Sequence, residues 1–169
     1  YDSVNKILKE NVVEDGYEEF VDDLKDLNLY RYVEVKEGPG KSEKYPLQLI
    51  GWHTKGRAHS VGFNNEKLRA KYPQVLWMNP KDGEARGLQA EDLVEVWNDR
   101  GRMVVPVLLT EEIISGVVAI AEGAWYESDS LGRDISGSIN VLTSQEPTPL
   151  AKGNPQHTNL VEVKRLKEN

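Results

Sequence analysis

Asn98-Asp99-Arg100-Gly101 separates two runs that are mostly apolar on both faces. In Leu93–Asn98, Val94 and Val96 point to one side and Leu93 and Trp97 to the other. The four-residue insert is rich in turn formers and predicts a β-hairpin with Arg102–Leu109. A strand that is apolar on both faces suits a small closed barrel whose outside is also covered.

Other segments agree with closure. Leu47–Trp52, Val75–Met78, Val117–Ile120, Ile139–Leu142 and Leu160–Val163 read as further short strands. Asn65–Tyr72 predicts a short helix stopped by Pro73. The expected fold is mainly β with α decoration: a barrel of six to seven strands with two small helices. Ahead of it, residues 3–28 have helical spacing, with Val4, Ile7 and Leu8, then Phe20, Val21, Leu24 and Leu27. Glu37–Lys44 contains Gly-Pro-Gly and charges and has the composition of a linker. A boundary there divides an acidic helical segment and linker, 1–43, from a barrel domain, 44–169.

Several function classes fall away on composition. The chain has 169 residues and no cysteine, so it holds no disulfide framework, thiolate metal site or cysteine nucleophile. No run approaches the ~20 apolar residues of a membrane span. Residues 1–37 hold 11 acidic and 5 basic residues, net −6, while residues 38–169 hold 17 and 16, net −1. That balance argues against nucleic-acid binding by the whole chain. The chain opens at Tyr1 without an initiator Met and reads as a piece of a longer polypeptide, so a missing catalytic residue would lie in the part not given.

Four segments carry chemistry. Gly51-Trp52-His53-Thr54-Lys55-Gly56-Arg57-Ala58-His59-Ser60 follows a strand and concentrates cations and hydroxyls on a flexible turn. Such a turn suits phosphate oxygens, with Arg57 bidentate and Lys55 a point charge. A solvated surface loop accounts for the same composition. A metal reading of His53 and His59 lacks a third nearby ligand, and His157 is the only other histidine. Asn79-Pro80-Lys81-Asp82 through Gly87 marks a short helix, with Asn79 as N-cap, Pro80 in the first turn and Gly87 as the stop. Asp82 there can also accept two hydrogens from guanine. Glu122-Gly123-Ala124-Trp125-Tyr126 offers a wall for ring stacking or ordinary barrel-end packing. The stretch from Asn140 through Gln156 to Asn159 is a long polar loop region whose uncharged donors and acceptors suit a heteroaromatic ring.

Taken in order, these marks resemble a known family. They are Lys44–Ile50 with His53–Ser60, Asn79–Asp82 with Ala85–Leu88 and Glu91–Val94, Gly123–Tyr126 with Asn140–Thr143, and Pro149–Val161. Over residues 44–166 they resemble the C-terminal molybdopterin-dinucleotide-binding domain of the dimethyl sulfoxide reductase family. The resemblance implies a double-psi β-barrel. It also implies binding of the guanine dinucleotide and pterin of a molybdenum-bis(molybdopterin guanine dinucleotide) cofactor.

Carried over by residue, Trp52, His53, Thr54, Lys55, Arg57, His59 and Ser60 line the pyrophosphate and pterin approach. Asn79 and Asp82 read guanine and ribose, and Trp125, Asn140, Gln156 and His157 contact the pterin side. The family's iron–sulfur cysteines and molybdenum ligand belong to preceding domains, so this chain is not expected to turn over substrate alone. The implied partners are the remaining domains of its own catalytic subunit, an iron–sulfur electron-transfer subunit and a membrane-anchor subunit. The implied setting is bacterial, periplasmic or membrane-associated through those subunits, without nucleic acid and without direct membrane contact. The alternative is a non-enzymatic double-psi barrel used as a protein-interaction module, docking a partner through the acidic segment. A stand-alone hydrolase or decarboxylase lacks an identifiable catalytic set.

Overall fold

The computed structural model describes residues 36–148 and 153–167. The helices expected over 3–28 lie outside them, as do Pro149–Lys152 of the last motif. The chain divides into two compact units. One is Tyr1–Glu34 with Glu146–Asn154, within which the Thr148 N–H meets the Gly153 carbonyl at 2.9 Å. The other, Val35–Gln145 with Pro155–Asn169, contains the barrel.

Six strands close the barrel: β1 Leu47–Trp52, β2 Leu76–Met78, β3 Leu93–Trp97, β4 Arg102–Leu109, β5 Val117–Ala121 and β6 Asn159–Arg165. Around the wall they run β1-β5-β2-β4-β3-β6 and back to β1. The β1/β5 and β2/β4 pairs are parallel and the other four antiparallel. This is the double-psi β-barrel expected from the sequence.

Every second residue points inward. Leu47 and Leu49, Leu76 and Met78, Val94 and Val96, Met103, Val105 and Val107, Val118 and Ile120, and Val161 and Val163 fill the interior. The expected hairpin is β3–β4, with Val96 opposite Met103. Its outer face is covered by charge rather than by another layer. Glu95 is buried between Arg102, at 3.2 Å, and Lys164, at 2.8 Å, and the Lys164 ammonium lies over the Trp97 ring at 4.8 Å. The aliphatic stems of Arg102 and Lys164 shield this face while their heads stay in water.

Both short helices form where the caps place them. In α1, Glu66–Lys71, the Asn65 side chain accepts from the Lys67 and Leu68 N–H groups. In α2, Pro80–Glu84, Asn79 caps Lys81. Leu88 N–H then returns to Gly83 and Gly87 N–H to Glu84, the paired closure that needs Gly87 at φ 64°.

Ile139–Leu142 is not a strand. It is a 3₁₀ turn, Ile139–Val141, and its cause is Asp134, which is wholly buried. The Asp134 carboxylate accepts from Gly137 and Ser138 N–H at 2.7 Å each and from Glu127 N–H at 3.0 Å. That winds the chain tightly just before the apolar run. Leu142 is buried, and its carbonyl is taken by Asn98 and Arg100 rather than by a ladder.

Residues 36–45 pack on the barrel. Glu37 holds Arg100 through both oxygens, at 2.6 and 3.0 Å, and accepts Leu160 N–H at 2.9 Å. Lys44 and Tyr45 both bind Asp99 in the hairpin turn.

Candidate functional site

Because β1 and β5 are parallel neighbours, the loops that leave them, 53–60 and 122–126, emerge side by side. β6 runs antiparallel to β1, so the segment that feeds it, 155–158, arrives at the same rim. There the His157 Nδ1 accepts the Gly51 N–H at 3.2 Å, and the Gln48 side chain donates to the His157 carbonyl at 2.8 Å.

Arg57 turns inward and brackets the rim. Its Nε donates to the Glu122 carbonyl at 2.7 Å, and its Nη2 donates to the Gln74 side chain at 2.7 Å and the Ala121 carbonyl at 3.2 Å. Gln74 in turn donates to the carbonyls of Ala121 and Gly137. Phe63 lies beneath, with the Arg57 and Arg69 guanidinium groups 5.2 and 4.8 Å from its ring centre. Burial holds the Arg57 pKa below the ordinary arginine value. The bidentate phosphate clamp expected of Arg57 is thus already committed on two edges to backbone and Gln74.

The two loops touch closely. A Cβ on Gly123, at φ 81°, would land on the His59 carbonyl. His59 itself adopts φ 50°. The Trp125 indole donates to the Ser60 carbonyl at 2.9 Å and leaves its ring half exposed. Thr54 is buried, and its hydroxyl oxygen accepts the Gly56 N–H. Lys55 is exposed and has no ion partner among the described residues. Trp52 packs on Trp77 at 5.1 Å, and its Nε1 is the one buried side-chain nitrogen without a partner among the described residues.

All three histidines of the chain converge on Glu122. His53 Nε2 stands 3.4 Å from Glu122 Oε2 and His157 Nε2 4.0 Å from Oε1. His53 and His59 meet edge to face at 5.2 Å. A cleft of about 170 Å³ opens between His53, Thr54, Arg57, Ala58, His59 and Glu122. The Glu122 side chain is only 13% exposed, against 71% for His53 and 54% for His157.

Asn79 and Asp82 lie elsewhere. β2 is antiparallel to β5, so the residues after β2 meet those before β5. Asn79 donates to the Ile113 carbonyl at 2.8 Å. Asp82 accepts from the Ser115 hydroxyl and the Gly116 N–H, each at 2.8 Å. Gly116 and Glu122 flank opposite ends of β5, six residues and roughly 20 Å apart at strand rise. Asn140 is exposed on the 3₁₀ turn, and Gln156 gives its carbonyl to Asn159. The structure therefore gathers Trp52–Ser60, Trp125 and His157, with Gln156 beside them, and sets Asn79 and Asp82 at a second station.

Sequence reasoning passed over Glu122 and Gln74 as site residues. Glu122 was legible as the single carboxylate closing an apolar strand. Gln74 carried no comparable signal, because its role depends on which carbonyls the barrel brings near it.

Comparison with known proteins adds the family. A family model described as "Molydopterin dinucleotide binding domain" matches residues 47–160. Dimethyl sulfoxide reductase DmsA of Haemophilus influenzae is 56% identical over 124 residues, 73% of this chain and 15% of that protein. Its Escherichia coli counterpart is 48% identical over 125 residues, 74% of this chain and 15% of the relative. Trimethylamine-N-oxide reductase 1 of Escherichia coli is 38% identical over 137 residues, 76% and 16%. Among solved structures, acetylene hydratase from Pelobacter acetylenicus superposes with a TM-score of 0.67 at 19% identity, covering 80% of this chain and 21% of that one, which shows the shared fold. The chain spans about 15% of the length of the curated reductases it matches.

Proposed function

The chain belongs to the molybdopterin dinucleotide-binding domain family, and on that premise we propose that its rim holds the pterin and pyrophosphate of a molybdopterin guanine dinucleotide while Asn79 and Asp82 read the guanosine end. The family match over residues 47–160 carries this reading and favours it over the interaction-module alternative.

The donor set fits such a ligand. Lys55 supplies an exposed cation, and His53, His59 and His157 supply ring nitrogens that donate or accept with protonation. The Trp52 indole N–H lacks an acceptor among the described residues, which a ligand oxygen at the rim would provide. Thr54 and Ser60 add hydroxyls, the half-exposed Trp125 ring offers a stacking face for the pterin, and Asn140 and Gln156 are assigned to it as further polar contacts. Arg57 serves by holding the two loops in place. At the second station each Asp82 oxygen has one donor and keeps a lone pair for the guanine N1 and N2 hydrogens. A ligand touching both stations runs along the barrel wall.

When bound, the cofactor supplies the two-electron redox chemistry; this chain's residues bind and orient it. In the full enzyme we place two such dinucleotides on one molybdenum, an iron–sulfur cluster in preceding domains, and electron delivery from iron–sulfur and membrane-anchor subunits. The setting is anaerobic respiration in a bacterium, with the complex periplasmic or membrane-associated through its partners. No helix among the described residues is long and apolar enough to cross a membrane.

Titration of the 169-residue chain with guanosine diphosphate, followed by NMR, tests the assignment. Expected are saturable amide shifts at Asn79, Asp82 and Gly116, with a second set over His53–Ser60. Shifts scattered over the surface and absent at both stations would overturn it.

A further inference from the structure

We propose that His53, His59 and Glu122 form a binding site for a divalent transition metal of the zinc class. The site stands on the rim's own geometry and does not depend on cofactor binding.

The ligand atoms of these three side chains lie within 4.8 Å of one another. Tetrahedral zinc with ligand bonds of about 2.0–2.2 Å holds its ligand atoms about 3.4 Å apart, so closure asks for movements of about 1 Å. His53 Nε2 and Glu122 Oε2 are already at 3.4 Å. His53 is exposed and can rotate, while the His59 backbone is held in a left-handed conformation against Gly123.

Glu122 gives the site its charge. It is mostly buried, yet no hydrogen-bond donor among the described residues satisfies its carboxylate, because the Arg57 guanidinium goes to its backbone carbonyl. A largely desolvated carboxylate facing two imidazole rings favours a cation. His157 stands behind the other oxygen. Its Nδ1 accepts the Gly51 N–H, which leaves the proton on Nε2, 4.0 Å from Glu122 Oε1. It can orient the carboxylate from outside, as second-shell partners do. Two imidazoles and one carboxylate without a thiolate select zinc, cobalt or nickel over magnesium or calcium. Three protein ligands leave one position open.

The test is titration of the metal-free 169-residue chain with Co²⁺, read by its d–d absorption, and competition with Zn²⁺. Expected are one equivalent bound with a dissociation constant on the order of micromolar and a four- or five-coordinate spectrum. His53→Asn, His59→Asn and Glu122→Gln should each weaken binding ~10-fold or more, and His157→Asn less than these. Glu84→Gln, an exposed change on α2, should leave it unaltered. Circular dichroism of each variant checks the fold, and His53→Asn, on an exposed side chain, keeps the test decisive if Glu122→Gln fails to fold. Absence of saturable binding, or binding that survives both histidine substitutions, overturns the proposal. Metal binding without guanosine diphosphate binding would overturn the cofactor reading and leave this one standing.

Discussion

Glu122 and Gly51 show how single residues build the rim. The Glu122 carboxylate lies over the Gly51 backbone, where a Cβ would stand 2.6 Å from Oε1. Gly51→Ala should therefore push a side-chain terminus aside, at about 1 kcal/mol, and affect the rim more than the fold. Gly123→Ala is different. Its Cβ meets the His59 backbone, which cannot swing away, and its φ of 81° is itself unfavourable for alanine. The expected loss is roughly 2–4 kcal/mol. Urea unfolding of the two variants separates them, and equal costs would contradict the backbone argument. Gly51 was visible in the sequence as a bending point, and Gly123 only as a small residue before two aromatics. Their partners were not, because the β1/β5 register decides them, and local sequence does not encode which loops meet.

Between elements, buried carboxylates do the joining. Asp134 ties four backbone amides, those of Glu127, Ser136, Gly137 and Ser138, so Asp134→Ala leaves them without that partner, three of them in buried residues. A loss on the order of 3 kcal/mol is expected, with release of the 3₁₀ turn, seen as faster amide exchange at Gly137 and Ser138. Glu95 and Glu37 join elements through cations. Burial alone raises each pKa, but for Glu95 the bonds and charges of Lys164 and Arg102 outweigh it, and for Glu37 the Arg100 and Leu160 contacts do. Both end below the ordinary 4.5. A carboxyl depressed in the folded state stabilises above its unfolded pKa and loses that contribution as pH falls through the folded one. Stability should thus drop below about pH 4.5, and Glu95→Gln should flatten that slope in acid unfolding curves. Element by element, six of the strands, both short helices, the Asn79 cap and the hairpin were readable because each rests on local periodicity or turn chemistry. Ile139–Leu142 was misread as a strand because its conformation is imposed by a carboxylate five residues upstream of the run. The bonds of Arg57 to the Ala121 and Glu122 carbonyls were hidden for a similar reason, since those residues are distant in sequence.

For the whole molecule, the boundary between front segment and barrel follows from where contacts end. Composition placed it at residue 43, since Glu37–Lys44 looks like a linker. Yet Glu37 neutralises Arg100 and caps Leu160 N–H at the start of β6, so the barrel's own hydrogen bonds extend to residue 37. Among the described residues, the interior itself is drawn from residues 47–163. We therefore predict that a chain starting at Val35 keeps the full barrel stability and the guanosine diphosphate shifts. A chain starting at Lys44 loses the Glu37 contacts and leaves a half-buried guanidinium without its carboxylate. That omission should cost about 1–2 kcal/mol after solvent screening, or a melting temperature lower by about 4–8 °C. Calorimetry of the two truncations compares them directly. Equal melting temperatures would place the boundary at residue 43 after all. Loss of the guanosine diphosphate shifts in the Val35 chain would instead show that the acidic segment contributes to nucleotide binding, which the cofactor reading does not require.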